Sequence, residues 1–249
     1  AAAGLLARAG GAESVRHLAV GTESGLDHSK PLSAYVQGML VAGGLALPSQ
    51  LSSFQVQHAC AAATMSLLSV AGLVGYGAGN ERGLVIASDI ARYETSSTAE
   101  ITQGAGAAAM IVERDPGLIE LDLGSLGLCS RNVDDFFRPL GAVTARVKGQ
   151  YSMQNYLESF EVAFLDHCRR VAATPAQVLR GTDMFVLHAP FRNMPMVAML
   201  RLLERHLGLG EVQAEAFLEE RGFLQAIDPI ADIGNTYSAS MYFGLAFLL

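Results

Sequence analysis

Ser53-Phe54-Gln55-Val56-Gln57-His58-Ala59-Cys60-Ala61-Ala62-Ala63-Thr64-Met65 is the stretch on which the reading of this chain turns. Phe54, Val56 and His58 alternate with Gln55, Gln57 and Ala59, the period-two pattern of a strand. From Cys60 onward Ala, Leu and Met take over, and Met65, Leu68 and Gly72 fall at helical spacing, so a helix is predicted over 60–76. A cysteine at such a junction stands beside the unpaired N–H groups of a helix start, where the dipole favours a thiolate. Cys60 is therefore a candidate nucleophile. A plainer reading competes with it, because free cysteine commonly serves as a small buried hydrophobe and activation needs partners elsewhere.

Working outward, the apolar runs 17–21, 83–88 and 184–187 read as buried strands, and 104–112 and 118–123 as further strands. Helices are predicted over 1–9, 31–40, 152–171, 194–207, 211–221 and 238–249, with a short one opened by Thr174-Pro175. Segments 89–100 and 132–139 read as loops. Strands alternating with helices argue for an α/β fold with buried sheets.

Half of the 249 residues are hydrophobic (51%) and 16% are charged, which suits a compact chain with a substantial core. A net charge of −7 without a basic run excludes nucleic acid as a natural partner. Cys60, Cys129 and Cys168 are too widely spaced for a disulfide framework or a zinc site, and a reducing compartment follows. The opening residues lack the pattern of a signal peptide, and no apolar run reads as long enough to span a membrane. A cytoplasmic protein is expected. Both ends fall within apolar helical segments, so flanking segments are expected to be missing.

Glu23, Cys60, His188 and Asn235 stand where apolar strands end or helices begin, the edge at which chemistry collects in such sheets. Each has an ordinary structural reading: a solvated turn, a core thiol, a hydrogen-bonded histidine, a helix cap. Together they supply the parts of thioester carbon–carbon chemistry. A thiolate accepts an acyl group, imidazole and carboxamide N–H groups bind an oxyanion, and a carboxylate moves a proton at carbon.

Val20-Gly21-Thr22-Glu23-Ser24-Gly25-Leu26-Asp27, His58-Ala59-Cys60, Val85-Ile86-Ala87-Ser88-Asp89-Ile90-Ala91-Arg92-Tyr93, Thr102-Gln103-Gly104-Ala105-Gly106-Ala107, Phe136-Phe137-Arg138-Pro139 and Gly234-Asn235-Thr236-Tyr237-Ser238-Ala239-Ser240 resemble, in order, motifs of the 3-hydroxy-3-methylglutaryl-CoA synthases. The resemblance implies a thiolase-like layered αβαβα fold of two similar halves, here lacking terminal segments, in a homodimer. The halves would be 1–113, carrying the nucleophile, and 114–249, carrying histidine and asparagine. It implies that Cys60 takes an acetyl group, Glu23 is the general acid/base, and His188 and Asn235 orient the second thioester. Tyr237, Ser240 and Arg192 would line or bind the substrate. The substrates would be coenzyme A or phosphopantetheine thioesters, on acyl-CoA or an acyl carrier protein, with no metal or redox cofactor.

Three departures from the family pattern stand out. Ala61 follows Cys60 where the family usually has tyrosine, and Asn193 stands where its mevalonate enzymes carry a phosphate-holding lysine. The family's opening strand and closing Gly-rich segment are not in the sequence. Three other readings remain: an acyl-carrier-protein version serving polyketide β-branching, a ketoacyl synthase III-like condensation that does not need Glu23, and a non-catalytic partner subunit of the same fold. Cys129 and Cys168 read as core or surface spectators, Cys168 on the apolar face of its helix; His17, His28, His167 and His206 have no matching partners at ligand spacing, and His58 reads as structural.

Overall fold

The computed structural model describes residues 1–115 and 117–249, which divide into two units. The first comprises 1–90, 105–121 and 236–239. It contains, in chain order, α1 (Ala2–Arg8), β1 (Val15–Gly21), α2 (Leu32–Ala42), β2 (Ser52–Val56), α3 (Ala62–Tyr76), β3 (Arg82–Ile90) and β4 (Ala105–Val112). The strands form one sheet in the order β2-β1-β3-β4. β1 runs parallel to both β2 and β3, and β4 closes the far side antiparallel to β3.

Alternation sorts the side chains onto two faces. Leu18, Val20, Leu84 and Ile86 pack with Leu6 of α1 and Leu40 of α2. Ala19, Val85 and Val112, from the opposite phase, pack with Val70 and Val74 of α3. Both faces are covered, which is why β1 and β3 read as continuous apolar runs rather than alternating ones. Fully burying each Val or Leu is worth about 1.5–3 kcal/mol, so the sheet's phase is strongly held.

One sequence expectation is corrected here. The window Ala59–Tyr76, 18 residues with a mean hydropathy of 1.6, is long and apolar enough to cross a membrane by length and composition. In this structure α3 packs Val70 and Val74 against Ala19 and Val85 of the sheet, and its Ala62 and Ala63 are buried.

The second unit comprises 91–104, 122–235 and 240–249. It is mostly helical: α4 (Gly149–Arg170), α5 (Pro175–Gly181), α6 (Asn193–Leu207), α7 (Glu211–Glu219), α8 (Phe223–Ile227), α9 (Ile230–Ile233) and α10 (Ser240–Leu248) follow the short antiparallel pair β5 (Phe136–Phe137) and β6 (Arg146–Val147). Thr174 caps α5 by accepting from the Gln177 N–H, as the Thr-Pro signal predicts. Met199, Leu202 and Leu203 of α6 form the centre of its core with Leu179, Leu218, Phe223 and Ile227.

The expected strands at 118–123 and 184–187 are not formed, and the loop expected at 132–139 contributes β5. Phe185 and Leu187 do alternate inward, but they pack on the helical core rather than beside a neighbouring strand. A ladder needs a partner backbone as well as an apolar run, and no described strand pairs with this one.

Candidate active site

In the first unit, three parallel strands end at one edge of the sheet. Gly21, the last residue of β1, pairs with Val56, the last of β2, so these two strands end level, and it pairs with Ala87 of β3, which runs on to Ile90. Glu23 follows β1, Cys60 follows β2, and Asp89 lies in the last residues of β3. The sequence placed the two reactive groups at strand ends, and the register makes those strands neighbours.

Gly21 explains how the end of β1 and the start of α3 fit together. A Cβ at Gly21 would lie 2.3 Å from both Cα and N of Ala63, closer than any real side chain permits. Small residues at 62 and 63 on the other side complete the approach. α3 begins at Ala62, two residues later than the periodicity predicts, because Ala59 turns into the left-handed region (φ 42°) and Ala61 N–H bonds back to the His58 carbonyl at 3.0 Å. Cys60 thus stands one residue before the N-cap, Ala61, which supplies no side-chain cap. The helix dipole favours negative charge at that end. The thiol is in no disulfide and is half-buried.

Glu23 is 8% exposed, and its backbone is fixed by Asp89. Oδ1 of Asp89 accepts from Thr22 Oγ1 at 2.8 Å, Glu23 N–H at 2.9 Å and Ser24 N–H at 3.0 Å. Oδ2 accepts from Ser238 Oγ at 2.5 Å and Ser238 N–H at 3.1 Å. A buried carboxylate with this many donors is a rigid hub, since leaving any of them unpaired would carry a desolvation cost. Asp89 lies in the motif 85–93 with no role that the sequence assigns it. The signal available was a charged residue ending a wholly apolar strand, which is worth explaining wherever it occurs.

In the second unit His188 follows the run 184–187. Its ring Nδ1 lies 2.6 Å from Ser240 Oγ, and its backbone carbonyl accepts from Tyr156 Oη at 2.7 Å. Burial pulls the imidazole pKa down from 6.5 to about 4, so the ring is neutral near pH 7. Burial also pushes the Tyr156 phenol well above its ordinary value, which keeps it a donor.

Asn235 is 2% exposed. Its N–H donates to the Thr102 carbonyl at 2.7 Å and its Nδ2 to Tyr93 Oη at 3.2 Å. Gly234 (φ 78°) lets the chain turn there, and a Cβ on it would meet the Gln103 carbonyl oxygen at 2.1 Å. The Gly-Asn pair is therefore a close backbone crossing against Gln103 and Gly104.

The remaining expected site residues fall in different settings. Ser240 is 1% exposed and engaged with His188. Tyr237 is fully buried within the first unit, at φ 44°. Arg192, the residue just before α6, is half-buried and pairs with Asp228 at 2.7 Å, so part of its charge is already answered. Cys168 is buried on the inner face of α4, as its helical spacing predicts.

No protein-family model matches the chain. Individual relatives do. The chain is 30% identical over 237 residues to the hydroxymethylglutaryl-CoA synthase of Enterococcus faecalis, covering 95% of this chain and 58% of that protein. The solved structure of MvaS in complex with 3-hydroxy-3-methylglutaryl coenzyme A superposes with a TM-score of 0.89 at 33% identity, covering 100% of this chain and 63% of that one. The curacin pathway HMG synthase in complex with acetyl donor-ACP superposes at 0.85 with 26% identity, over 94% and 56%. The chain thus spans a little over half the length of these proteins, and the agreement bears out the α/β, thiolase-like reading. Alike in sequence along 95% of its length and in backbone along all of it, this chain belongs to the 3-hydroxy-3-methylglutaryl-CoA synthase family.

Proposed function

We propose that the protein is an acyltransferase that joins an acetyl group to an acetoacetyl thioester, giving a 3-hydroxy-3-methylglutaryl thioester. The observation that carries this reading is the level ending of β1 and β2, which puts Glu23 and Cys60 beyond the carboxyl ends of adjacent parallel strands, with Asp89 anchoring the Glu23 backbone. Cys60 would accept the acetyl group from a donor thioester, the donor thiol leaving with a proton. Glu23 would then remove a methyl proton, giving an enolate that attacks the ketone carbon of the acetoacetyl thioester. His188 and Asn235 would donate hydrogen bonds to the oxygen on which charge develops. Water would release the product from Cys60 and restore the thiol.

Coenzyme A is the carrier we favour, supported by the higher identity to MvaS than to the curacin enzyme. The carrier-protein reading draws on the curacin enzyme's complex with donor ACP and on Asn193, where a phosphate-holding lysine would favour coenzyme A. We further place the enzyme in the cytoplasm as a homodimer, a reading that rests on its three widely spaced cysteines and on the family. Light scattering on the purified protein tests the dimer.

Incubation with acetyl-CoA and acetoacetyl-CoA, and separately with the carrier-bound forms, tests the rest. Acetylation of Cys60 seen by mass spectrometry, followed by hydroxymethylglutaryl-CoA, is the expected result. Turnover with carrier-bound substrates alone would replace the carrier assignment. A folded protein with no adduct from either source would leave a non-catalytic partner subunit.

A further inference from the structure

His188 is held at two points, one on its ring and one on its backbone. Nδ1 lies 2.6 Å from Ser240 Oγ. Ser240 is 1% exposed at the first residue of α10, and the His188 backbone is tied separately by Tyr156 through the carbonyl at 2.7 Å. Main chain and ring are thus each held by a different helix, α4 and α10. A neutral imidazole carries one N–H, and which nitrogen bears it is set by the hydrogen bond the other makes.

We propose that Ser240 is a positioning residue for His188, its hydroxyl donating to Nδ1 and so holding the ring in the tautomer whose proton sits on Nε2. A bare imidazole nitrogen is a better acceptor than a serine oxygen, so the O–H points to the ring rather than the ring to the hydroxyl. The consequence rests on the proposed function. To stabilise a developing oxyanion, His188 must offer a proton while staying neutral, and only the Nε2–H form, with Nδ1 satisfied by Ser240, does both. A residue first expected to touch substrate would instead act through the histidine.

The test uses the full chain labelled with 15N-histidine, with His188 identified by difference from His188→Gln. Expected in the unmodified protein is an acceptor-type Nδ1 and a directly protonated Nε2 between about pH 5 and 8. Ser240→Ala should shift both nitrogens toward a tautomer mixture and lower kcat for condensation about tenfold, with KM changing little. Ser240→Cys, close in shape but a weaker donor, should lie between the two, and it supplies the same readout should the alanine variant fail to fold. A proton found on Nδ1 in the unmodified protein, or 15N shifts unmoved by a folded Ser240 variant, would overturn the proposal. The spectra need no turnover. The expected tautomer in a protein that never acetylates Cys60 would therefore retain Ser240's role and discard the enzyme reading.

Discussion

Oδ1 of Asp89 accepts the Glu23 N–H at 2.9 Å, tying the loop after β1 to the end of β3. The same carboxylate takes Ser238 on its other oxygen, so one buried side chain of the first unit gathers two loops that are distant in sequence. Replacing it should therefore damage more than a pair. Asp89→Ala is expected to cost about 3 kcal/mol or more, because the donors it satisfies are left buried without an acceptor. Urea unfolding measures the loss, and amide exchange at Glu23 and Ser24 should accelerate in the variant.

Glu23 and Cys60 divide the proposed chemistry between them. Cys60→Ala should yield no acetyl adduct after exposure to acetyl-CoA. Glu23→Ala should still be acetylated yet lose condensation by about 10²-fold or more, the usual worth of general acid–base catalysis. A Glu23 variant that condenses normally would point to the ketoacyl synthase III-like reading.

Gly21 is a packing constraint with an all-or-nothing character. Its Cβ position is occupied by backbone atoms of Ala63, which cannot swing away as a side chain tip would. Gly21→Ala should then destabilise the first unit by about 3 kcal/mol through forced backbone displacement. Thermal unfolding should show it, whereas Gly38→Ala, in α2 with open space around it, should be neutral or slightly stabilising.

His188 makes stability depend on acidity with a definite sign. Its folded pKa of about 4 lies below the ordinary imidazole value of 6.5, so the unfolded chain binds the proton first as pH falls. The contribution of this group is unchanged above about pH 6.5, declines as pH falls from there to about 4, and is level below that. Melting temperature followed across this range should drop more steeply in the unmodified protein than in His188→Gln.

Residue pattern alone made much of the first unit legible. The strands at 17–21 and 83–88, the helix over 31–40 and the long helix after Cys60 all form within a few residues of their expected bounds. Buried parallel strands have an unmistakable apolar signature, and helices as long as α4 carry several turns of it. The second unit was harder. The run at 184–187 looks the same whether it packs on a sheet or on helices, and its outcome depended on partners that no local pattern names.

Residue chemistry by itself determined which groups could react: a thiol at a strand-to-helix junction, a carboxyl after the preceding strand, an imidazole and an amide after later turns. The family's motifs gave them roles. Tertiary structure alone decided that β1 and β2 are adjacent and end level, that Asp89 is the anchor of the Glu23 loop, and that Ser240 meets His188 across 52 positions of chain. The division has a physical cause. Propensity and periodicity act over one or two turns of backbone, while strand register and buried hydrogen bonds are chosen by residues that become neighbours only when the chain has closed on itself.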